Sequence, residues 1–325
     1  MNIFIIFARR FNLMLMENRK KIYGYSAIIA AVLLWGASFV WTKELLVKEF
    51  PVFTIVLCRM VIASCVLLLL FKTTGQIEKV SRKDFPLFFL LSLFEPFLYF
   101  IGENFGLLYV SPSIAAAIIA LVPIVTAISL STLNKEKLRA ELFIGAAISV
   151  IGIMLMSFTS SSNEISIKGL LLMLLAVVSA ALYGTTLQQI LKRGYGPVTI
   201  TTWQNMIAVV LYLPCFLIFD AKHVTSLDWN VSTIGSLLTL GVLCSAAAFA
   251  LYSAAAKIVT VAKASVFSNA IPVVTLCLSV LMGTESITAQ KIIGILVVVG
   301  GVIISQRTAS AKKTPQIKQK DRKNV

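Results

Sequence analysis

Residues 115–152 read AAAIIALVPIVTAISLSTLNKEKLRAELFIGAAISVIG, and residues 264–301 read ASVFSNAIPVVTLCLSVLMGTESITAQKIIGILVVVGG. Set in register, Ala115 falls on Ala264, Pro123 on Pro272, Val125 on Val274, Thr126 on Thr275 and Glu136 on Glu285. The register continues through Ala140 and Ala289, Ile144 and Ile293, Gly145 and Gly294, Val150 and Val299, and Gly152 and Gly301. Shared apolar composition yields some matches for free, but a Pro, a Glu and two Gly in one ungapped register are hard to obtain by accident. A weaker match links Trp35-Gly36 with Tyr183-Gly184 and Pro51 with Pro197. The chain therefore repeats itself once, and its fold follows from what one copy is.

Each copy is built of long apolar runs. Hydrophobic residues make up 58% of the 325 and charged residues 13%, too little charge to cover a soluble domain of this size. A bilayer core of about 30 Å takes roughly 20 apolar helical residues per crossing, and the runs are continuous rather than alternating, which predicts helices and not a β-barrel. Ten spans are expected, at 24–43, 52–71, 85–108, 113–132, 140–158, 168–190, 198–219, 232–256, 264–282 and 289–305, with turn residues at SPS (111–113), SSSN (160–163) and GYGP (194–197). The expected class is an all-α polytopic membrane protein. Its parts are a cytoplasmic segment 1–23, a five-helix unit 24–158, a second five-helix unit 168–305, and a basic tail 306–325.

The basic residues set the direction. Lys and Arg crowd into the N-terminus, the connections after the even-numbered spans, and the tail; the opposite side carries Lys43, Lys48, Lys168, Lys222 and Lys291. That asymmetry predicts both termini in the cytoplasm and an even number of spans. Five spans per copy is odd, so the second copy is expected to enter the membrane upside down. The charges agree: the connection NKEKLR (134–139) is basic, whereas its counterpart MGTES (282–286) has no cation. Inverted repeats are the architecture of carriers that open to either face in turn.

Two segments resemble a known family. GTESITAQKIIGILVVVGGVIIS (283–305) is similar to the end of an EamA unit of the drug/metabolite transporter superfamily, with a Glu after the ninth span and glycines in the tenth. LLWGASFVWTKELLVKEFPVFTIVLCRM (33–60) resembles the opening of such a unit, with Trp35-Gly36, Pro51 after the loop, and Arg59 in the second span. The resemblance covers residues 27 to 305. It implies ten helices, alternating access, and a central cavity lined by the first four helices of each repeat. The second half departs from the pattern, with Asn205 in the place of Arg59.

Polar residues inside the spans are the candidate site. A charge at the helix centre costs about 2.5–3.5 kcal/mol on insertion scales, and Arg59, Glu95 and Glu103 bear that cost. Arg59 lies about 10 Å below the outer surface at the helical rise and Glu103 about 8 Å, which predicts that they share a polar pocket as partners in the outer half. Glu95 is expected deeper and about 80° around an unbroken helix. Asn104, Asn205, Asn269 and the aromatic residues Trp41, Tyr99 and Tyr183 complete the expected transport path, with Trp203, Tyr252, Gln188, Gln189, Gln204 and Ser268 weaker, since polar groups also serve as interhelical glue. Pro96, Pro123 and Pro272 are expected to break their helices. Gly145/Gly152 and Gly294/Gly301 are spaced by seven, one helix face each, for close packing within the chain or in a homodimer.

Other classes find little support. The net charge of +15 lies in loops and tails, not on a soluble face, so nucleic acid is not an expected partner. The five cysteines sit in apolar runs without metal-ligand spacing. No GxxxxGK[ST] indicates ATP hydrolysis, and the single histidine, His223, supplies neither a metal centre nor a nucleophile–base arrangement; no cofactor is expected and no enzyme. The first fifteen residues carry an apolar run ahead of their arginines, the reverse of a signal peptide, and Met16 opens a more ordinary cytoplasmic start. The expected function is export of a small organic metabolite, an amino acid or related compound, across the plasma membrane, with a membrane-embedded Glu as a means of proton coupling. The rivals are an exporter of amphipathic drugs and a channel or receptor.

Overall fold

The computed structural model describes residues 2–133, 135, 140–157 and 166–306; most of the basic 134–139 connection and the tail beyond Gln306 lie outside them. The described residues are helical, without strands. The helices are α1 (Asn2–Val47), α2 (Val52–Phe71), α3 (Phe85–Leu107), α4 (Pro112–Leu133), α5 (Ala140–Ser157), α6 (Ile167–Lys192), α7 (Pro197–Ser226), α8 (Val231–Val259), α9 (Val261–Leu281) and α10 (Ala289–Gln306). Eight of them are long and apolar enough to cross a membrane, while α5 and α10 carry shorter apolar stretches, Ala140–Met156 and Ala289–Ser305. At 1.5 Å per residue each shorter stretch reaches about 25 Å, just under the hydrocarbon thickness.

The chain punctuates itself with familiar chemistry. Pro112 and Pro197 stand in the first turns of α4 and α7, where no amide partner is lost. Ser166 and Asn230 cap α6 and α8, their side-chain oxygens accepting from the amides of Gly169 (3.1 Å) and Thr233 (3.0 Å). Gly194 and Gly283 take positive φ after α6 and α9. The first helix departs from expectation: it begins at Asn2 instead of residue 24, since no Gly or Pro precedes Gly24 to end it.

The packing has a regular plan. α1 lies on α8 as α3 lies on α6; α2 on α8 as α7 on α3; α1 on α9 as α6 on α4; α2 meets α7, and α5 meets α10. Each contact has a counterpart when a helix is exchanged for the one five places along. In the α5–α10 pair, a Cβ on Gly152 would stand 2.7 Å from the carbonyl oxygen of Gly294, and one on Gly294 2.7 Å from that of Gly152. Gly145 and Gly301 meet the same way, so the two helices run antiparallel and the glycine faces are spent on each other inside the chain. Apolar residues such as Leu69, Ile144, Val210 and Leu296 face outward, as a lipid solvent requires. The cysteines are unpaired, and Cys65 and Cys277 lie exposed.

Candidate functional site

The centre of the bundle holds a cavity of about 50 Å³. Its walls are α1 (Trp35, Ser38), α2 (Arg59), α3 (Glu95, Tyr99, Phe100, Glu103), α4 (Ile119, Val122), α6 (Ala180, Tyr183), α8 (Phe249, Tyr252) and α9 (Ser265, Ser268, Ile271). The repeat register runs through it: Trp35 corresponds to Tyr183, Phe100 to Phe249, Glu103 to Tyr252, Ile119 to Ser268 and Val122 to Ile271.

Arg59 is wholly buried. Its Nε donates to Ser245 Oγ at 3.2 Å, and its guanidinium carbon sits 4.2 Å from the centroid of the Phe100 ring, a cation–π arrangement. Nη1 has no hydrogen-bond partner, and neither has Glu103 Oε2. Arg59 and Glu103 thus face one cavity without a direct ion pair among the described residues; the hydroxyl of Ser245, from α8, takes the contact expected of the carboxylate. Truncating one member of such a set leaves the other buried charge uncompensated, which is costly.

The two carboxylates share a wall because α3 is broken between them. Glu95 leaves the helical region, with φ −147° and ψ 119°, the extended conformation that a following proline favours; the Glu95–Pro96 peptide bond is cis. The 80° offset of an unbroken helix therefore does not apply. Helix α7 donates to carbonyls on both sides of the break. Gln204 Nε2 donates to the Glu95 carbonyl at 3.0 Å, and the Tyr212 hydroxyl is shared between the carbonyls of Pro96 (3.1 Å) and Phe97 (2.5 Å). Gln204 thus acts as the interhelical glue expected of it, whereas no signal in the sequence singles out Tyr212.

The matched prolines also sit at breaks. α4 turns at Ala120–Leu121 before Pro123, and α9 passes through a tighter turn, Phe267–Ala270, before Pro272. Such interruptions set cavity-facing residues on both sides of each turn.

Of the remaining candidates, Asn104, Asn205, Trp41 and Asn269 are not among the lining residues. Asn104 and Asn205 are buried and donate within their own helices, to the carbonyls of Phe100 (2.9 Å) and Thr201 (2.8 Å). Trp41 packs against the core, and Asn269 is buried beside the lining residue Ser268. Tyr99 and Tyr183 line the cavity. Trp35, Phe100 and Phe249 are lining residues that sequence reasoning did not single out as such, although Trp35-Gly36 and the repeat register were the signals that point to them.

Both ends of the bundle are tied. Where α2 turns into α3, Asp84 accepts from the Tyr195 hydroxyl at 2.7 Å and pairs with Arg193. At the other end Asp220 accepts from the amide and hydroxyl of Thr54 (2.7 and 3.1 Å). Lys43 donates there to the carbonyl of Leu107. Glu285 accepts from the Ser113 amide (3.0 Å) and hydroxyl (2.5 Å) while paired with Lys291 at 2.6 Å.

A helical bundle lipid-facing on its flanks, with three charged residues on the wall of a largely apolar central cavity and ties at both ends, is a multi-pass membrane protein of the transporter type. The EamA-like transporter family matches residues 22–158 and again residues 167–306, and the chain belongs to that family. It is 27% identical to the uncharacterized transporter YetK of Bacillus subtilis over 91% of this chain and 90% of YetK. An uncharacterized transporter of Archaeoglobus fulgidus is 27% identical over 71% of this chain and 80% of its own. A probable amino-acid metabolite efflux pump of Salmonella typhimurium is 22% identical over 56% of this chain and 63% of its own. One solved crystal structure superimposes with a TM-score of 0.65 over 91% of this chain and 98% of the other, at 16% identity, a likeness of fold alone.

Proposed function

We propose that this protein is a secondary carrier that exports a small organic metabolite, an amino acid or a related compound, across the plasma membrane, with two inverted five-helix units and both termini in the cytoplasm. The observation that carries the reading is the central cavity, whose opposing walls are register-equivalent residues of the two halves. The exchangeable helix pairings and the reciprocal glycine contacts of α5 and α10 support a two-fold relation between the units. On this reading α5 and α10 also cross the membrane, and the solute sits at the seam while one set of end ties opens and the other holds. A homodimer would use faces other than the glycine rows.

An unpaired guanidinium nitrogen and two carboxylates in one cavity suit a solute with both acidic and basic groups, the α-carboxylate toward Arg59 and the amine toward a Glu. The cavity is narrow beside ordinary ligand pockets of about 300–1,000 Å³, so loading requires the helices to part. Glu95 and Glu103 face the solute site, and exchange of a proton for the solute at one of them is the proposed coupling. The amino-acid assignment also draws on the name of the Salmonella relative.

The test is counterflow in proteoliposomes across a metabolite panel, with Arg59→Gln and Glu103→Gln as controls. A carrier gives saturable, trans-accelerated flux that both substitutions abolish. Flux without saturation or counterflow indicates a channel, and a flux that ignores an imposed pH gradient removes the proton coupling. Reporter fusions placing the two termini on opposite sides would overturn the inverted arrangement.

A further inference from the structure

We propose that a groove at the end of the bundle where α1 turns into α2 holds a phospholipid with a primary ammonium head, phosphatidylethanolamine, its acyl chain in the groove and its ammonium on Glu49. The proposal needs the membrane-spanning fold and not the carrier reading, so either can fail without the other.

The groove measures about 540 Å³ and shares no lining residue with the central cavity. Leu46 of α1, Phe53 of α2, Phe105 near the end of α3, Leu108 just beyond it and Phe219 of α7 form its walls. Apart from Glu49 and Asp220, the lining is apolar. Phe219 is exposed together with its neighbours Leu217 and Ile218, so one wall runs directly into the lipid-facing flank. Phe50, also in the lining, meets the exposed Trp229 edge-on at 5.2 Å, and an exposed tryptophan suits the boundary between lipid tails and heads. An apolar groove open to the bilayer forfeits contacts if empty and offers water few hydrogen bonds. An acyl chain is the occupant that the surroundings supply.

The mouth of the groove carries a charge that the protein does not neutralise. α1 closes with two bonds, from the Glu49 amide to the Leu46 carbonyl (3.1 Å) and from the Phe50 amide to the Leu45 carbonyl (3.0 Å), a motif that needs a left-handed residue after the helix. That residue is Glu49, with φ 61°, where glycine would be least strained. The other carboxylate, Asp220, is buried and engaged by the amide and hydroxyl of Thr54. Lys48, adjacent in sequence, turns to Glu44 (2.6 Å) and Ser232 (3.1 Å) instead. Among the described residues no Lys or Arg lines the groove, and the exposed Glu49 carboxylate makes no ion pair. A primary ammonium, with three N–H donors, fits that carboxylate; a trimethylated head has no donor to give it, and an anionic head is repelled. Phe53 passes the contact inward. Its ring lies 5.5 Å from those of Phe105 and Phe219 and 6.4 Å from that of Tyr212, whose hydroxyl reaches the break in α3.

The experiment is native mass spectrometry of the full chain, delipidated in detergent and titrated with phosphatidylethanolamine, phosphatidylcholine and phosphatidylglycerol of identical acyl chains. Phosphatidylethanolamine is expected to bind at least about fivefold more tightly than the other two. Glu49→Gln and Glu49→Gly are each expected to erase that preference. The glycine variant relaxes the backbone and is expected to melt no lower than the wild type, so its loss of preference cannot be attributed to unfolding. Leu108→Trp, which fills the groove, should weaken binding of all three lipids severalfold. Equal binding of the three by the wild type, a preference that survives Glu49→Gly, or Leu108→Trp binding lipid as the wild type does would overturn the site. A dimer of the delipidated chain that added lipid does not dissociate would assign the groove to a second copy and overturn it as well.

Discussion

The hydroxyl of Tyr212 on α7 reaches the carbonyl of Phe97 at 2.5 Å and so holds open the break in α3 that places Glu95 on the cavity wall. A hydrogen bond to a buried backbone carbonyl stabilises the segment that carries it, and α7 supplies one to the broken turn. Tyr212→Phe keeps the ring and removes the bond. It is expected to destabilise the protein by about 1–3 kcal/mol, read as a lower melting temperature in detergent, and to slow counterflow as well. Unchanged melting would mean that the break does not depend on α7.

A second prediction concerns the buried tie at the α9–α10 turn. Glu285 and Lys291 have side chains only 5% and 8% exposed, 2.6 Å apart, and Glu285 also holds the first turn of α4 through Ser113. Glu285→Ala leaves an uncompensated ammonium and is expected to cost about 3–5 kcal/mol. Replacing both residues with apolar ones of similar volume should recover most of that loss. A double variant no more stable than the single would contradict this account.

The glycine contacts of α5 and α10 leave no room for a methyl group. A Cβ on Gly301 would lie 2.5 Å from Ser149 Oγ and 2.6 Å from the Gly145 carbonyl oxygen. Gly301→Ala should therefore force the helices apart, at about 1–3 kcal/mol, whereas Gly300→Ala, with open space around it, should be silent. The paired melting curves test the close approach and separate it from any general effect of losing a glycine.

Thr260, the single residue between α8 and α9, has φ 78° and ψ 150°, a region that only glycine occupies without strain. Thr260→Gly is expected to stabilise the fold by about 1–2 kcal/mol. If the position must resist relaxation for the neighbouring cavity helix to move, the same variant will trade stability for a lower counterflow rate. Measuring melting and flux on one preparation distinguishes relief of strain alone from relief with a functional cost.

Arg59→Lys tests the geometry of the guanidinium. A lysine keeps the charge but forfeits the planar stack on Phe100 and the Nε contact to Ser245. Affinity for a solute carboxylate should fall by at least about tenfold, with little change for a solute that lacks one. Equal loss for both solutes would assign Arg59 to packing instead.

The helices and their family were legible because apolar length and repeat register are local, additive signals. The prolines of α4 and α9 were legible for the same reason: a missing amide acts within its own turn. The interior of the site was harder. Eight residues along an unbroken helix separate Glu95 from Glu103 by rotation, and only the break brings both to one wall. Ser245 meets Arg59 from 186 positions away, and a serine in an apolar run announces nothing. Asn104 and Asn205 looked like cavity residues by polarity alone, yet an asparagine can satisfy its donor on its own helix, as both do. The correspondence of Glu103 with Tyr252 fell outside the matched segment, so the unequal halves of the cavity emerged only from the structure.

That inequality has a consequence. A binding chamber with perfect two-fold symmetry would accept any guest in two equivalent poses, head up or head down, with nothing to choose between them. Here one copy contributes Glu103 where the other contributes Tyr252, and Trp35 where the other has Tyr183. On the proposed carrier reading, that divergence gives a polarised guest a single preferred orientation, so that the same end of the molecule leads on every crossing.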